Sequence, residues 1–78
     1  MSAPTYRAWA LNEDGDLSQF CGLTRSRAIW RDHWHTRMSG RLRLTKWGWD
    51  REEDAPQSTH AAMLRAARDA GRLIIVKG

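Results

Sequence analysis

The sequence predicts a small α+β fold in which two helices pack on one mainly antiparallel sheet of about four strands. The prediction rests on an aromatic-rich start with a polar turn, two segments with helical spacing of apolar residues, and a continuous apolar run near residue 75. Their order along the chain is β-β-α-β-α-β, which is typical of helices packed against one sheet. With 78 residues, the chain has room for one such domain, spanning residues 1–78.

A β-hairpin is predicted first. Residues 5–11 are rich in aromatic and other strand-compatible side chains, and residues 17–21 form the returning strand. Residues 12–16 between them are a turn, because Asn and Asp side chains accept local backbone hydrogen bonds and Gly15 tolerates a positive φ. The two strands are therefore expected to pair with each other.

The first helix is expected from residue 24 or 26 to about residue 39. Thr24 or Ser26 supplies the N-cap, and Gly40 supplies the C-terminal stop. An apolar side chain recurs at every fourth residue, which is typical of a core-facing stripe. The stripe consists of Trp30, Trp34 and Met38. We therefore expect both tryptophans to be core residues, with Arg27 and Arg31 at the border of the stripe.

Residues 41–49 are expected to form the third strand, because polar and apolar residues alternate there. Leu42 and Leu44 point toward the core. The opposite row, on an open sheet face, consists of Arg41, Arg43, Thr45, Trp47 and Trp49. Gly48 is a candidate for a β-bulge that would change which side each tryptophan faces. The sequence therefore leaves open whether Trp47 and Trp49 are exposed or packed beneath another element.

An acidic loop interrupted by Pro56 is expected over residues 52–57. Ser58 or Thr59 caps the second helix, which runs to Ala70 and ends at Gly71. Its small-residue face could lie close on a sheet and consists of Met63, Ala66, Ala67 and Ala70. Residues 72–77 form the last strand, and their continuous apolar run predicts a central position covered on both faces.

The composition narrows the class of protein. The single Cys21 excludes an intramolecular disulfide, which favours a reducing compartment. No apolar run approaches the roughly 18 residues of a membrane span. The first residues also lack the charged and apolar regions of a signal peptide. The sequence therefore predicts a cytoplasmic protein with no membrane partner.

Positive charge and tryptophan are concentrated in the middle of the chain. Residues 24–51 contain eight Arg or Lys and two Asp, a net charge of +6, whereas the remaining residues have a net charge of −2. Four of the five tryptophans lie in the same stretch. Arg and Trp are enriched at binding hot spots, and a basic cluster is typical of polyanion binders. A GC-rich coding sequence is the alternative explanation for eleven Arg against two Lys.

Metal binding and catalysis receive little support. His33 and His35 point about 200° apart on a helix, and Cys21 and His60 lack the spacing of zinc ligands. The sequence contains no nucleophile elbow, phosphate-binding glycine loop or catalytic Cys–His pattern. We therefore expect a protein that uses no metal or other cofactor and is not an enzyme.

In general style, the chain resembles the short single-domain proteins of phages and other mobile elements, anti-CRISPR inhibitors among them. The likeness rests on size, single-domain design and the absence of enzymatic motifs, and it covers no alignable residues. It suggests a binding protein that engages a larger protein or ribonucleoprotein and inhibits or bridges it. The residues predicted to contact this partner are Arg27, Arg31, Arg41, Arg43, Trp47 and Trp49.

Two other functions fit the same residues. In the first, the arginines bind phosphate and the tryptophans stack on bases, so that the chain binds nucleic acid directly. In the second, the chain is a homo-oligomeric structural protein whose tryptophan row is buried between subunits. The three hypotheses differ in salt dependence, in the cost of losing a tryptophan, and in the mass of the protein without ligand.

Overall fold

The computed structural model describes residues 3–77, which form a four-stranded sheet with a helix on each face. The strands are β1 (Tyr6–Asn12), β2 (Leu17–Leu23), β3 (Leu44–Arg51) and β4 (Leu73–Lys77). The helices are α1 (Arg25–Leu42) and α2 (Ala61–Asp69), and a 3-10 helix spans Glu52–Gln57, where the sequence predicts a loop. The predicted α+β class is confirmed, and the order of elements matches apart from this short helix.

The strand order is β3-β1-β2-β4. β1 pairs antiparallel with both β2 and β3, whereas β4 pairs parallel with β2, so the sheet is mixed and mainly antiparallel. The predicted central position of the last strand is wrong, because α2 carries the chain from one edge of the sheet to the other. β4 is an edge strand, and its side chains Ile74, Ile75 and Val76 are exposed.

The two helices cover opposite faces of the sheet. Neighbouring residues of β1 point to opposite sides: Ala8 packs with Leu23 and with Ala28 of α1, whereas Trp9 packs with Leu17 and with Ala67 of α2. We refer to these sides as the α1 face and the α2 face. No helix within residues 3–77 is both long and apolar enough to cross a membrane.

Helix α1 begins where predicted and ends later. Thr24 is the N-cap, and its hydroxyl accepts a hydrogen bond from the Arg27 N–H at 3.3 Å. The helix then continues through Gly40, and Arg43 ends it in the left-handed region with φ 54°. The predicted strand from residue 41 is therefore wrong over its first three residues. Arg41 and the exposed Leu42 are helical, and Arg43 is the C-cap.

Strand β3 has its irregularity at its start rather than at Gly48. The β1–β3 register shifts between Leu11 and Asn12, opposite the beginning of β3. Gly48 pairs regularly with Trp9, and a Cβ at this position would lie 3.0 Å from the Trp9 indole. Because Gly48 has no side chain, the Trp9 ring can lie against the backbone of β3. This close approach explains the glycine, and the predicted bulge at Gly48 is absent from the β1–β3 pairing.

Candidate partner-binding surface

Helix α1 carries an uncompensated positive charge. Its only acidic residue is Asp32, and its five arginines are Arg25, Arg27, Arg31, Arg37 and Arg41. None of these arginines forms a salt bridge with another residue of the described range 3–77. The first turn contains no acidic residue, although the helix dipole favours negative charge there. This helix is therefore suited to contact with an anionic surface.

Trp30 lies on this basic helix and is 59% exposed. The predicted core position for Trp30 is wrong, and Trp34 is only half-buried. The buried side of α1 is centred on Ala28 and His35 instead, because these two side chains project onto the sheet about 20° apart around the helix axis. A large exposed aromatic ring beside arginines has the composition of a binding hot spot.

Arg31 joins α1 to the aromatic side chains around it. Its guanidinium lies 4.2 Å from the centre of the Phe20 ring, 5.0 Å from that of Trp34 and 5.4 Å from that of Trp30. Partial burial lowers the pKa of Arg31, although the group stays charged at neutral pH. The cation–π contacts hold the side chain against the sheet. The Arg31 side chain is therefore already ordered in the free protein. Ordering of this kind reduces the side-chain entropy that is lost when a surface binds a partner.

A groove of about 350 Å³ lies beside this cluster, between α1 and β4. It is open on the α1 face because α1 lies mainly over β1 and β3 and leaves β4 uncovered. Its walls and floor include Phe20, Arg27, Trp30, Arg31, Val76 and Lys77. The groove thus combines apolar surface with three cationic side chains, so that the structure brings the predicted contact residues Arg27 and Arg31 together.

Arg41 and Arg43 lie at the far end of α1 and differ in environment. Arg41 is exposed and makes no ion pair within residues 3–77. Arg43 binds the turn between β1 and β2, with its guanidinium 2.9 Å from Asp14 Oδ2 and 3.9 Å from Glu13 Oε1. Arg41 therefore extends the basic surface of α1, whereas the charge of Arg43 is compensated within the chain.

Trp47 and Trp49 lie on the α1 face and are half-buried. The Trp47 indole N–H donates a hydrogen bond to Thr36 Oγ1 of α1 at 3.0 Å. Trp49 lies 5.8 Å from the Tyr6 ring, and the Arg25 guanidinium lies 5.7 Å from the centre of the Trp49 ring. The sequence left open whether these two tryptophans are exposed or packed against another element, and the structure shows both of them packed.

Two contact candidates were missed by the sequence prediction, Trp30 and Arg37. The recurrence of Trp30, Trp34 and Met38 at every fourth position predicts a core position for Trp30. Four residues advance a helix by about 400°, so that such a series drifts by about 40° per step and does not keep one face. Plotting all of α1 at 100° per residue would have placed Trp30, Arg37 and Arg41 within about 40° of one another.

The α2 face contains a buried polar cluster around His60. The His60 side chain is fully buried and stacks on Trp9 with ring centres 4.8 Å apart. Its Nδ1 lies 2.7 Å from Asp50 Oδ2 and 2.6 Å from Ser58 Oγ, and its Nε2 lies 3.5 Å from Gln19 Nε2. Asp50 and Ser58 contact the same ring nitrogen, so they do not form a relay through the imidazole. The cluster joins β2, β3 and the start of α2, which is a structural role.

The remaining histidines and Cys21 do not converge. His33 lies on the exposed side of α1, whereas His35 lies on the side of the same helix that is buried against the sheet. Burial raises the pKa of the Cys21 thiol, which disfavours the reactive thiolate. No group of three or more His, Cys, Asp or Glu side chains is placed to hold a metal ion in the part of the chain that the structure describes.

Comparisons of the chain with protein-family models, with curated proteins and with solved structures found no match.

Proposed function

We propose that this chain is a non-enzymatic binding protein whose basic, tryptophan-bearing α1 surface engages a larger protein or ribonucleoprotein in the cytoplasm and inhibits or bridges it. The α1 surface is defined here by Arg27, Trp30, Arg31, Arg37 and Arg41. The observation that supports the proposal best is the exposed Trp30 among arginines that form no ion pair within residues 3–77.

The distribution of ion pairs argues for this surface. Arg43, Arg51 and Arg72 each contact an acidic side chain of the same chain. The arginines of α1 contact none within the described residues 3–77, so the positive charge of that helix is available to a partner. A bias in coding sequence would add arginines without regard to which of them find a carboxylate. Within residues 3–77, five of the eight arginines without a salt bridge lie on α1, and this concentration favours a role in binding.

Direct nucleic-acid binding is the second candidate, and the cation–π cluster at Arg31 favours it. Single-strand binders combine basic side chains with aromatic rings on which bases stack. The positions of Trp47 and Trp49 argue against direct nucleic-acid binding. The Trp47 ring is hydrogen-bonded to Thr36 of α1, and the Trp49 ring lies beneath the guanidinium of Arg25. Among the five tryptophans, all of which lie within residues 3–77, only Trp30 has a largely exposed ring, so that a protein or ribonucleoprotein partner is preferred.

A capture experiment with charge-matched variants tests the proposal. The immobilised protein is exposed to bacterial lysate with and without nuclease, and the captured partner is identified by mass spectrometry. We expect Arg27→Ala/Arg41→Ala and, separately, Trp30→Ala to reduce capture of that partner about tenfold or more. The control, Arg65→Ala/Arg68→Ala, removes the same charge from exposed positions of α2 and should retain capture.

The outcomes separate the hypotheses. Equal loss in both double variants would mean that net charge alone drives capture, and unchanged capture in both would exclude the α1 surface. Titration with single-stranded and duplex DNA and RNA, followed by tryptophan fluorescence at about 50 and 200 mM salt, tests direct binding. Micromolar affinity with a steep salt dependence would favour the nucleic-acid candidate.

A further inference from the structure

Strand β4 presents an open and apolar sheet edge. It pairs with β2 on one side, and its other side faces no strand within residues 3–77. Ile74, Ile75 and Val76 are 50%, 59% and 38% exposed. A strand edge of this kind offers a row of unpaired N–H and C=O groups, and protected edges usually carry charges, prolines or bulges. Leu73–Val76 contains none of these devices, and the one charge of the strand is Lys77 at its end.

The direction of the free backbone groups follows from the pairing with β2. The Leu17 N–H donates to the Arg72 carbonyl at 3.1 Å, and Leu17 is paired with Leu73. In a parallel ladder, alternate residues of a strand bond to a given neighbour. The even-numbered residues of β4 therefore bond to β2. The N–H and C=O groups of Leu73, Ile75 and Lys77 point outward.

We propose that two copies of the chain pair antiparallel through β4, in a register centred on Ile75. In this register Ile75 lies opposite Ile75 of the second copy, and Leu73 lies opposite Lys77. Every outward-pointing residue of β4 then meets another outward-pointing residue, as hydrogen-bonded antiparallel pairs require. A two-fold axis perpendicular to the sheet relates the copies, and the result is a continuous eight-stranded sheet.

The residues of this edge suit a second copy as its occupant, because self-pairing brings apolar side chains together and places no like charges opposite each other. Arg72, immediately before β4, is neutralised by Asp16, with Arg72 Nε 3.1 Å from Asp16 Oδ1. Lys77 is the one charged residue of β4, and the proposed register places it opposite Leu73 rather than opposite another cation. On the α1 face, Ile74 lies opposite Val76 of the second copy. The strand is thus complementary to itself in hydrogen bonding and in apolar contact, and the register places no like charges directly opposite each other.

The dimer would also place two α1 helices on the same side of the joined sheet. Each copy contributes its own Arg27 and Trp30 beside the new strand pair, so that the basic surface is doubled. This consequence rests on the proposed function, whereas the dimer itself does not. The charge of +4 on each copy opposes association. Added salt should therefore strengthen the dimer, although it weakens binding to an anionic partner.

Analytical ultracentrifugation of the purified protein without ligand tests the proposal over roughly a hundredfold range of concentration. We expect a concentration-dependent shift from the 9.0 kDa monomer to a species of twice that mass. Ile75→Pro removes an outward N–H that β2 does not use, and proline is tolerated at such an edge position. It should weaken the dimer about tenfold or more, with circular dichroism unchanged.

Ile75→Lys is the second variant, and Ala62→Lys on the exposed side of α2 is its matched control, because both add one positive charge. We expect Ile75→Lys to abolish the dimer and Ala62→Lys to retain it. A wild-type protein that stays monomeric throughout would overturn the proposal. Persistence of the dimer in both folded Ile75 variants would also overturn it, because the copies would then meet through another surface. Neither result depends on whether α1 binds a partner.

Discussion

The two faces of the sheet differ in what their side chains do. On the α2 face, Trp9 and Leu17 are buried against Ala67, and His60 has three polar partners at its two ring nitrogens. On the α1 face, the buried residues Ala8, Leu23 and Ala28 are mostly small, and the larger aromatic rings stay partly exposed. The comparison indicates that the α2 face contributes most to stability, whereas the α1 face leaves more side-chain surface in solvent, which we propose contacts a partner.

The largest expected difference between the faces is in the free energy of unfolding. Trp9→Ala removes a buried indole and should cost about 3–5 kcal/mol. A core of this size gives about 3–5 kcal/mol in total, so that the variant should be unfolded at 25 °C. Trp30→Ala removes a ring that is mostly in solvent, and its cost should stay within about 0.5 kcal/mol. Urea titrations followed by circular dichroism measure both.

Equal costs for the two tryptophan variants would contradict the division between the faces. A folded Trp9→Ala protein would mean that Gly48, Met63 and Leu64 close the space left by the indole. A large cost for Trp30→Ala would mean that the α1–β4 groove is part of the core. In that case the loss of capture in Trp30→Ala would reflect unfolding rather than a missing contact.

The sequence predicted the element types because each carries a local signal. Thr24 caps α1, the turn at Gly15 has its positive φ, and the segment near residue 75 is a strand. The position of a strand within the sheet has no local signal of this kind, because it depends on how the chain crosses from one strand to the next. A run of Leu73-Ile74-Ile75-Val76 is apolar in a central strand and equally apolar in an edge strand that is covered by another copy.

The second expected difference between the faces is in how the buried histidines His35 and His60 affect stability, and how this effect depends on pH. Burial and the positive charge of Arg31 lower the pKa of His35 to about 4 from its usual 6.5. The folded state therefore binds fewer protons than the unfolded state between these values, and stability falls as the pH is lowered from 6.5 to 4. The loss for this group is at most about 3 kcal/mol. His35→Leu should reduce this loss, as measured by urea unfolding at several pH values.

His60 provides the contrast for that measurement. Burial lowers its pKa, whereas Asp50 opposes the shift. His60→Leu would leave Asp50 and Ser58 without their imidazole partner, so that it should cost about 1–3 kcal/mol at pH 7. The Nδ1 of His35 is buried and has no hydrogen-bond partner among residues 3–77, so that His35→Leu should cost little at that pH. Equal costs for the two variants at pH 7 would contradict this difference between the faces.

The candidate surface was less predictable than the fold, for a physical reason. The sequence located the basic segment correctly, yet it assigned Arg41 and Arg43 to a strand because Gly40 is a common helix stop. Gly40 adopts the helical conformation here, and Arg43 ends the helix instead. Because α1 continues for three residues beyond its predicted end, Arg41 lies about 300° around the helix axis from Met38. The side chains that share a surface with Arg41 therefore differ from those that a strand would place beside it.

The smallest expected effect is at Arg43, where the basic segment meets the β1–β2 turn. Its φ of 54° costs a non-glycine residue about 1 kcal/mol, and its exposed ion pairs with Glu13 and Asp14 contribute about 0–1 kcal/mol. Arg43→Ala keeps the strain and loses the ion pairs, so that it should destabilise the fold slightly. Arg43→Gly relieves the strain and should be within about 0.5 kcal/mol of wild type.

Arg43→Gly and Arg41→Ala together also test which arginines belong to the α1 surface. The charge of Arg43 is compensated by the turn, whereas that of Arg41 is not. Arg43→Gly should therefore leave partner capture nearly unchanged, and Arg41→Ala should reduce it. If Arg43→Gly instead reduces capture as much as Arg41→Ala does, the ion pairs with the turn must open on binding. The partner would then contact the end of α1 together with the β1–β2 turn.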